Sequence, residues 1–164
     1  MSMKYIMTLV SLFATDNVIK YFIETHVKQG EEKPLPGGTI CIKNHHNTGA
    51  MFHLGGKNRS LVAMLSLVFS AFMSGIFAAT LTTKGNVFLK SGLAILLGGA
   101  YSNTYDRMKR KYVVDYVSFR FPPAKNKVLG KLKNAFETII FNISDFGIII
   151  GAMLIVVSEL FRGE

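Results

Sequence analysis

Cysteine is nearly absent from this 164-residue chain: Cys41 stands alone, so no internal disulfide can form. A small, buried, apolar side chain is the reading that such a residue invites. Metal ligands are short for the same reason. His45, His46 and His53 lie near one another, but no cysteine or carboxylate sits at ligand spacing, and adjacent histidines in a strand point to opposite faces, so no zinc site is expected. There is no internal repeat and no low-complexity tract. The N-terminal apolar run, led by Lys4, is broken by Asp16 and followed by no small-x-small cleavage pattern, so it reads as a retained helix rather than a signal peptide. Acidic residues are also scarce, ten against 19 Lys and Arg, for a formal charge of +9. That excess does not indicate nucleic acid. Nine of the 19 basic residues fall between residues 105 and 135, one segment between apolar blocks, where they suit anionic lipid head groups.

What is plentiful is apolar sequence, 49% of the chain, gathered into long blocks. A bilayer core about 30 Å thick needs roughly 20 mostly apolar residues per helix. Four blocks qualify, at about 3–23, 61–81, 86–105 and 136–161. They predict an all-α membrane protein, one domain over 1–164, with four transmembrane helices. The segments 24–60 and 106–135 then share one side, and the link TTKG (82–85) and both termini the other. TICIK (39–43) alternates as a half-buried strand does, between the turn-forming PLPGG and NTGAM, and predicts a small β-rich segment after the first helix. AKNKVLGKLKNAF (124–136) places Val128, Leu132, Ala135 and Phe136 on one face, with lysines largely elsewhere. After the helix-breaking FPP (121–123), that pattern predicts a short interfacial helix before the fourth span.

The ionisable residues gather at one depth. Asp16 and Lys20 lie toward the 24–60 end of the first helix, Asp106 and Arg107 close the third, Asp115 follows in the loop, and Asp145 lies under three turns into the fourth. Ionisable groups within a membrane cost about 2.5–3.5 kcal/mol on insertion scales and face inward by default. Asp16 and Lys20 are spaced i,i+4 and can pair; Asn103–Asp106 and Asn142–Asp145 are spaced i,i+3, each setting an amide beside a carboxylate. Any one of these pairs reads as interhelical glue. The whole set reads as a small hydrated site.

In that order the motifs resemble the lipoprotein signal peptidase, or signal peptidase II, family. DNVIK (16–20) is similar to the family's D-x-x-x-K, and NTGAMF (47–52) to its N-x-G-A-A-F. GGAYSNTYDR (98–107) resembles G-G-A-x-x-N-x-x-D-R, YVVDY (112–116) resembles V-V-D-F, and FNISD (141–145) resembles F-N-x-A-D. The resemblance spans nearly the whole chain. It implies an intramembrane aspartic endopeptidase of the bacterial cytoplasmic membrane, without cofactor or metal, that cuts a prolipoprotein just before a diacylglyceryl-modified cysteine. By position it makes Asp115 and Asp145 the catalytic pair. It makes Asn47, Gly49, Asn103, Arg107 and Asn142 substrate-binding, and Asp16, Lys20 and Asp106 structural supports. Two neighbouring carboxylates do not both ionise readily, so one keeps a proton. The charged partner takes a proton from water, which attacks the carbonyl, while the protonated one hydrogen-bonds the carbonyl oxygen.

Four departures stand out: Met51 for a second Ala, Ser144 for Ala, Phe146 for a small residue, and a longer interval from Asp115 to Asp145. They leave open a paralogue with an altered lipopeptide substrate. A non-catalytic lipopeptide-binding or immunity protein is a further class, and a proton-coupled transporter using Asp16, Lys20 and Asp145 a third, disfavoured by the lack of a repeat. The family's orientation puts both termini in the cytoplasm and the site near the outer face. Positive-inside counting opposes it, with 14 Lys and Arg on the loop side. The outward site is expected, since exported substrates must reach it. The partners expected are substrate and membrane lipid, and a monomer is the default.

Overall fold

The computed structural model describes residues 2–49, 58–123 and 126–161; His53 and Met51 lie outside them. The described residues form helix α1 (Met3–His26), strands β1 (Glu32–Pro34) and β2 (Ile40–Asn47), helices α2 (Arg59–Thr82) and α3 (Val87–Lys109), strand β3 (Val113–Phe119), helix α4 (Lys127–Glu137), strand β4 (Ile140–Phe141) and helix α5 (Ile143–Leu160). Asparagine starts every helix after the first. The side chains of Asn58, Asn86, Asn126 and Asn142 accept the backbone N–H three residues on, from Leu61, Leu89, Leu129 and Asp145. Each supplies an acceptor for one of the four N–H groups that a helix start leaves unpaired. The tight α2–α3 link takes positive φ at Gly85 (75°) and Asn86 (48°), a conformation that glycine and asparagine tolerate best.

Among the described residues, three helices, α1, α2 and α5, are long and apolar enough to cross a membrane. Their outward faces stay apolar, as at Leu65, Val68 and Phe72 on α2 and Met153 and Val156 on α5. The third expected span, α3, is of comparable length but different character. It is the central helix, with α1, α2 and α5 packed around it, and its buried residues include Lys90, Ser102, Asn103, Thr104 and Asp106. A helix shielded by its neighbours can carry polar residues and glycines that a lipid-facing one cannot. Those glycines set the packing distance. A Cβ on Gly151 would stand 2.6 Å from the Gly92 carbonyl oxygen, one on Gly98 2.8 Å from that of Leu9, and one on Gly99 would run into the Ser144 carbonyl. Small residues allow this backbone contact between apolar helices, and it presses the first turn of α5 against α3.

The sheet is antiparallel in the order β1-β2-β3-β4, with β2 displaced by a bulge between Ile42 and His45. The strand expected at 39–43 is therefore real and longer. β3 and β4 carried no recognised signal. β3 is buried on both faces, so its sequence VVDYVSF does not alternate cleanly. Period-two geometry still sorts its side chains. Val114 and Tyr116 join Ile23 and Val27 at the end of α1, while Val113 and Asp115 face a cavity. A second apolar cluster of Tyr5, Phe77, Leu93, Ala94 and Leu97 ties α1, α2 and α3 at the opposite end.

Two boundaries differ from the sequence reading. The helix expected over 124–136 is α4, from Lys127. The last helix begins at Ile143, not near 136, because β4 and the Asn142 cap occupy the interval. Asp145 is consequently a first-turn residue.

Candidate active site

That first turn explains how a carboxylate sits at the head of an apolar helix. Asn142 Oδ1 accepts the Asp145 N–H at 2.9 Å, and Asp145 Oδ2 accepts the Asn142 N–H at 3.0 Å, a reciprocal capping box. The i,i+3 spacing seen in the sequence is thus a cap rather than a pair along a helix face. The Asn142 amide nitrogen remains free to work elsewhere, donating to Asp115 Oδ1 at 2.7 Å and Asn103 Oδ1 at 3.2 Å. Asn103 in turn donates to Asp145 Oδ1 at 2.9 Å. Asn47 donates to Asp115 Oδ2 at 2.9 Å and accepts the Gly49 N–H at 3.0 Å. Three asparagines from three elements therefore fix both carboxylates.

Beneath them lies a fully buried ion cluster. Lys20 Nζ is 2.8 Å from Asp16 Oδ2 and 3.1 Å from Asp106 Oδ2. It also donates to Ser102 Oγ at 3.1 Å and Asn103 Oδ1 at 2.8 Å. Asp16 receives Ser102 at 2.6 Å, Ser144 at 2.5 Å and the Tyr116 hydroxyl at 2.7 Å. Burial, then the Asp16 carboxylate, raises the Tyr116 phenol, which keeps it a donor. The departure Ser144 thus has a definite partner, since an alanine there would have no hydroxyl for Asp16. Tyr116 and Ser144 were not among the expected site residues, and only their contacts with Asp16 reveal them.

Arg107 bridges the same region. Its Nη2 donates to the Gly49 carbonyl at 3.2 Å and its Nη1 to the Asn103 carbonyl at 3.4 Å, while its buried Nε has no partner among the described residues. Phe146 points elsewhere, its ring 5.4 Å from that of Phe141 and 6.3 Å from that of Phe119. The bulky residue thus braces the sheet against α5 through Phe119 and the cavity-lining Phe141. His46, considered above as a metal ligand, instead bonds Glu24 at 2.7 Å and stacks on Tyr112.

Asn47, Asn103, Arg107, Asp115 and Asp145 line one cavity of about 420 Å³. Its other walls are largely apolar, with Ile139, Ile140, Ile148 and Ile149 among them. Ile149 is 37% exposed, so the cavity reaches the apolar outer face of α5. Burial, and then the neighbouring Asp145 carboxylate, raises Asp115 to about 7, against the lowering effect of the Asn47 and Asn142 donors. The arrangement can hold one proton near neutral pH between two carboxylates.

Similarity to known proteins agrees along the whole length. Residues 8–161 match the family described as Signal peptidase (SPase) II. The lipoprotein signal peptidase of Shouchella clausii (strain KSM-K16) is 30% identical over 163 residues, covering 99% of this chain and 95% of that one. The lipoprotein signal peptidase of Mesorhizobium japonicum is 29% identical, covering 95% and 84%. Two bacterial membrane enzymes solved by the in meso method share the fold. One has a TM-score of 0.76 at 23% identity, covering 96% of this chain and 87% of the other. The second has a TM-score of 0.74 at 25% identity, covering 97% and 94%. The chain belongs to the signal peptidase II family.

Proposed function

We propose that the protein is an aspartic endopeptidase that removes the signal peptide from diacylglyceryl-modified prolipoproteins, with Asp115 and Asp145 as its catalytic pair. The observation that carries this reading is that both carboxylates, each held by asparagine donors, open onto one cavity. Asp115, raised to about 7, holds the shared proton and hydrogen-bonds the scissile carbonyl. Asp145 takes a proton from water, and the resulting hydroxide adds to the carbonyl carbon. The tetrahedral intermediate then expels the amine as it receives a proton from the pair. Arg107 Nε is the donor left over for a substrate carbonyl, and Asn47, Gly49, Asn103 and Asn142 hold the backbone. The apolar wall reaching the outer face of α5 suits a substrate that arrives with its own acyl chains. The test is incubation of the purified protein with a diacylglyceryl-modified prolipoprotein. A product beginning at the lipidated cysteine is expected; no cleavage of several such substrates would contradict the reading.

Loss of the shared proton sets the pH dependence. The value of kcat/KM is expected to fall as pH rises through about 7. Stability should move the same way. The folded Asp115 keeps a proton that the unfolded one loses near 3.8, so its contribution is complete below that pH and fades as pH rises through about 7. A pH–rate profile that is flat to strongly alkaline pH would refute this role for Asp115.

We also read the architecture as four spans, with α3 the fourth, in one domain over 1–164, and α4 lying at the interface. Both termini are cytoplasmic and the cavity opens near the outer face of the bacterial cytoplasmic membrane. Cys41 is fully buried, so engineered cysteines at exposed positions report without interference. In intact cells, a membrane-impermeant thiol reagent should label Gln29→Cys and Asn134→Cys and spare Lys84→Cys. The reverse pattern would invert the orientation.

A further inference from the structure

The helix α4 has no buried residue, and its apolar side chains face outward: Val128 is 70% exposed, Leu132 57% and Phe136 53%. With 100° per residue, Val128, Leu129, Leu132, Ala135 and Phe136 span an arc of about 120°. Lys127 and Lys131 flank that arc on one side and Lys133 on the other. An isolated helix of this length is marginal in water, and Gly130 in its middle weakens it further. Its ties to the rest of the protein are concentrated at one end. The Phe121 N–H donates to Glu137 Oε1 at 2.7 Å, and the Ile139 N–H to the Phe136 carbonyl at 3.2 Å. Something else must cover the apolar arc.

Charge and position identify the cover. Within the helix three lysines face a single acid, Glu137, and long cationic side chains beside an apolar stripe suit a surface that is anionic above and apolar below. Glu137 lies six positions before Ile143, where a helix long and apolar enough to cross a membrane begins. The chain leaving α4 is the cavity wall itself: Thr138, Ile139, Ile140 and Phe141 line the cavity, and the last two pair with Ser118 and Val117 of β3.

We propose that α4 docks on a bilayer carrying anionic head groups, and that this docking holds the 138–141 wall in place for substrate entry. The wall pairs with β3, continues into the Asn142 cap of α5, and is held at its other end by α4. Undocking α4 loosens one support without touching Asp115 or Asp145. The consequence is a dependence of KM, rather than kcat, on anionic lipid. This coupling rests on the peptidase reading; the docking itself does not.

The chain contains no tryptophan, so Phe136→Trp supplies a single fluorescent reporter at an exposed aromatic position. The variant is reconstituted into phosphatidylcholine vesicles with or without phosphatidylglycerol, each with brominated acyl chains as quencher. Strong quenching and a blue-shifted emission are expected in the anionic vesicles, with weaker quenching in the neutral ones. Lys127→Gln with Lys131→Gln should remove most of that difference. A water-like, unquenched emission in both vesicle types overturns the docking, and equal quenching in both overturns its charge dependence. In the same vesicles the KM of the unmodified protein for a diacylglyceryl-modified prolipoprotein should be about fivefold lower with anionic lipid. The double lysine variant should lose that advantage at unchanged kcat. Docking with an unchanged KM overturns the coupling alone. Docking with no cleavage in either vesicle type overturns the peptidase reading and the coupling with it.

Discussion

Asp115→Asn and Asp145→Asn are each expected to lower kcat/KM for prolipoprotein cleavage by about a thousandfold or more, the scale of a lost general acid or base acting in concert with its partner. Asparagine keeps the size of aspartate and a carbonyl oxygen that still accepts a hydrogen bond. In Asp115→Asn that oxygen can receive Asn142 or Asn47, and in Asp145→Asn it can receive Asn103 or the Asn142 N–H. The fold should therefore survive while the exchangeable proton is lost. Because the two carboxylates act as one unit, the double variant should be no worse than either single one by more than a small factor. Steady-state cleavage by detergent-solubilised protein, with unfolding temperature as the check on folding, measures this. A single variant retaining a tenth of the activity would remove that residue from the chemistry.

The second large effect concerns stability. Lys20→Met is expected to destabilise the protein by about 3–5 kcal/mol, because it leaves buried Asp16 without a cation and buried Asp106 with only its 3.4 Å pair to Arg110. Lys20, Asp16 and Asp106 are fully buried, and the ammonium group is the common partner of both aspartates, of Ser102 and of Asn103. Methionine replaces the aliphatic stem, so the loss reports the charge rather than a cavity. Activity should fall as well, since Asn103 reaches Asp145 from a position braced by Lys20. Adding Asp16→Asn and Asp106→Asn to Lys20→Met should recover part of the stability by removing the uncompensated charges. A loss below about 1 kcal/mol for Lys20→Met alone would mean that the cluster is not held together by its cation.

The sequence discloses the helices through their length and apolarity, and the site through the spacing of its polar residues. Asp16 and Lys20 do pair, as their i,i+4 spacing implies, and the strand at 39–43 and the amphipathic helix over 124–136 exist close to where their patterns lie. What stays hidden is long-range. β3 is buried on both faces and so lacks an alternating pattern, and the pairing of His45 with Asp115 joins residues 70 positions apart. The start of α5 is hidden for a different reason. Ile139, Ile140 and Phe141 are as apolar as the helix that follows, so hydropathy runs straight through a strand and a cap. The signal that marks the boundary is Asn142 three residues before Asp145, a capping pair that also resembles two polar residues on one helix face. The repeated use of asparagine at helix starts, at positions 58, 86, 126 and 142, is legible in the sequence once its meaning is known.

The central claim is direct attack of water on the scissile carbonyl under the control of Asp115 and Asp145, and the mass of the released signal peptide tests it best. Cleavage of a diacylglyceryl-modified prolipoprotein is run in ¹⁸O-labelled water with hydroxylamine present to intercept any acyl-enzyme. The expected product is a peptide whose new C-terminal carboxylate carries one ¹⁸O, with no hydroxamate, and it is expected to be missing when either aspartate is replaced by asparagine. A hydroxamate product, or the labelled peptide formed at full rate by an asparagine variant, would contradict the assignment.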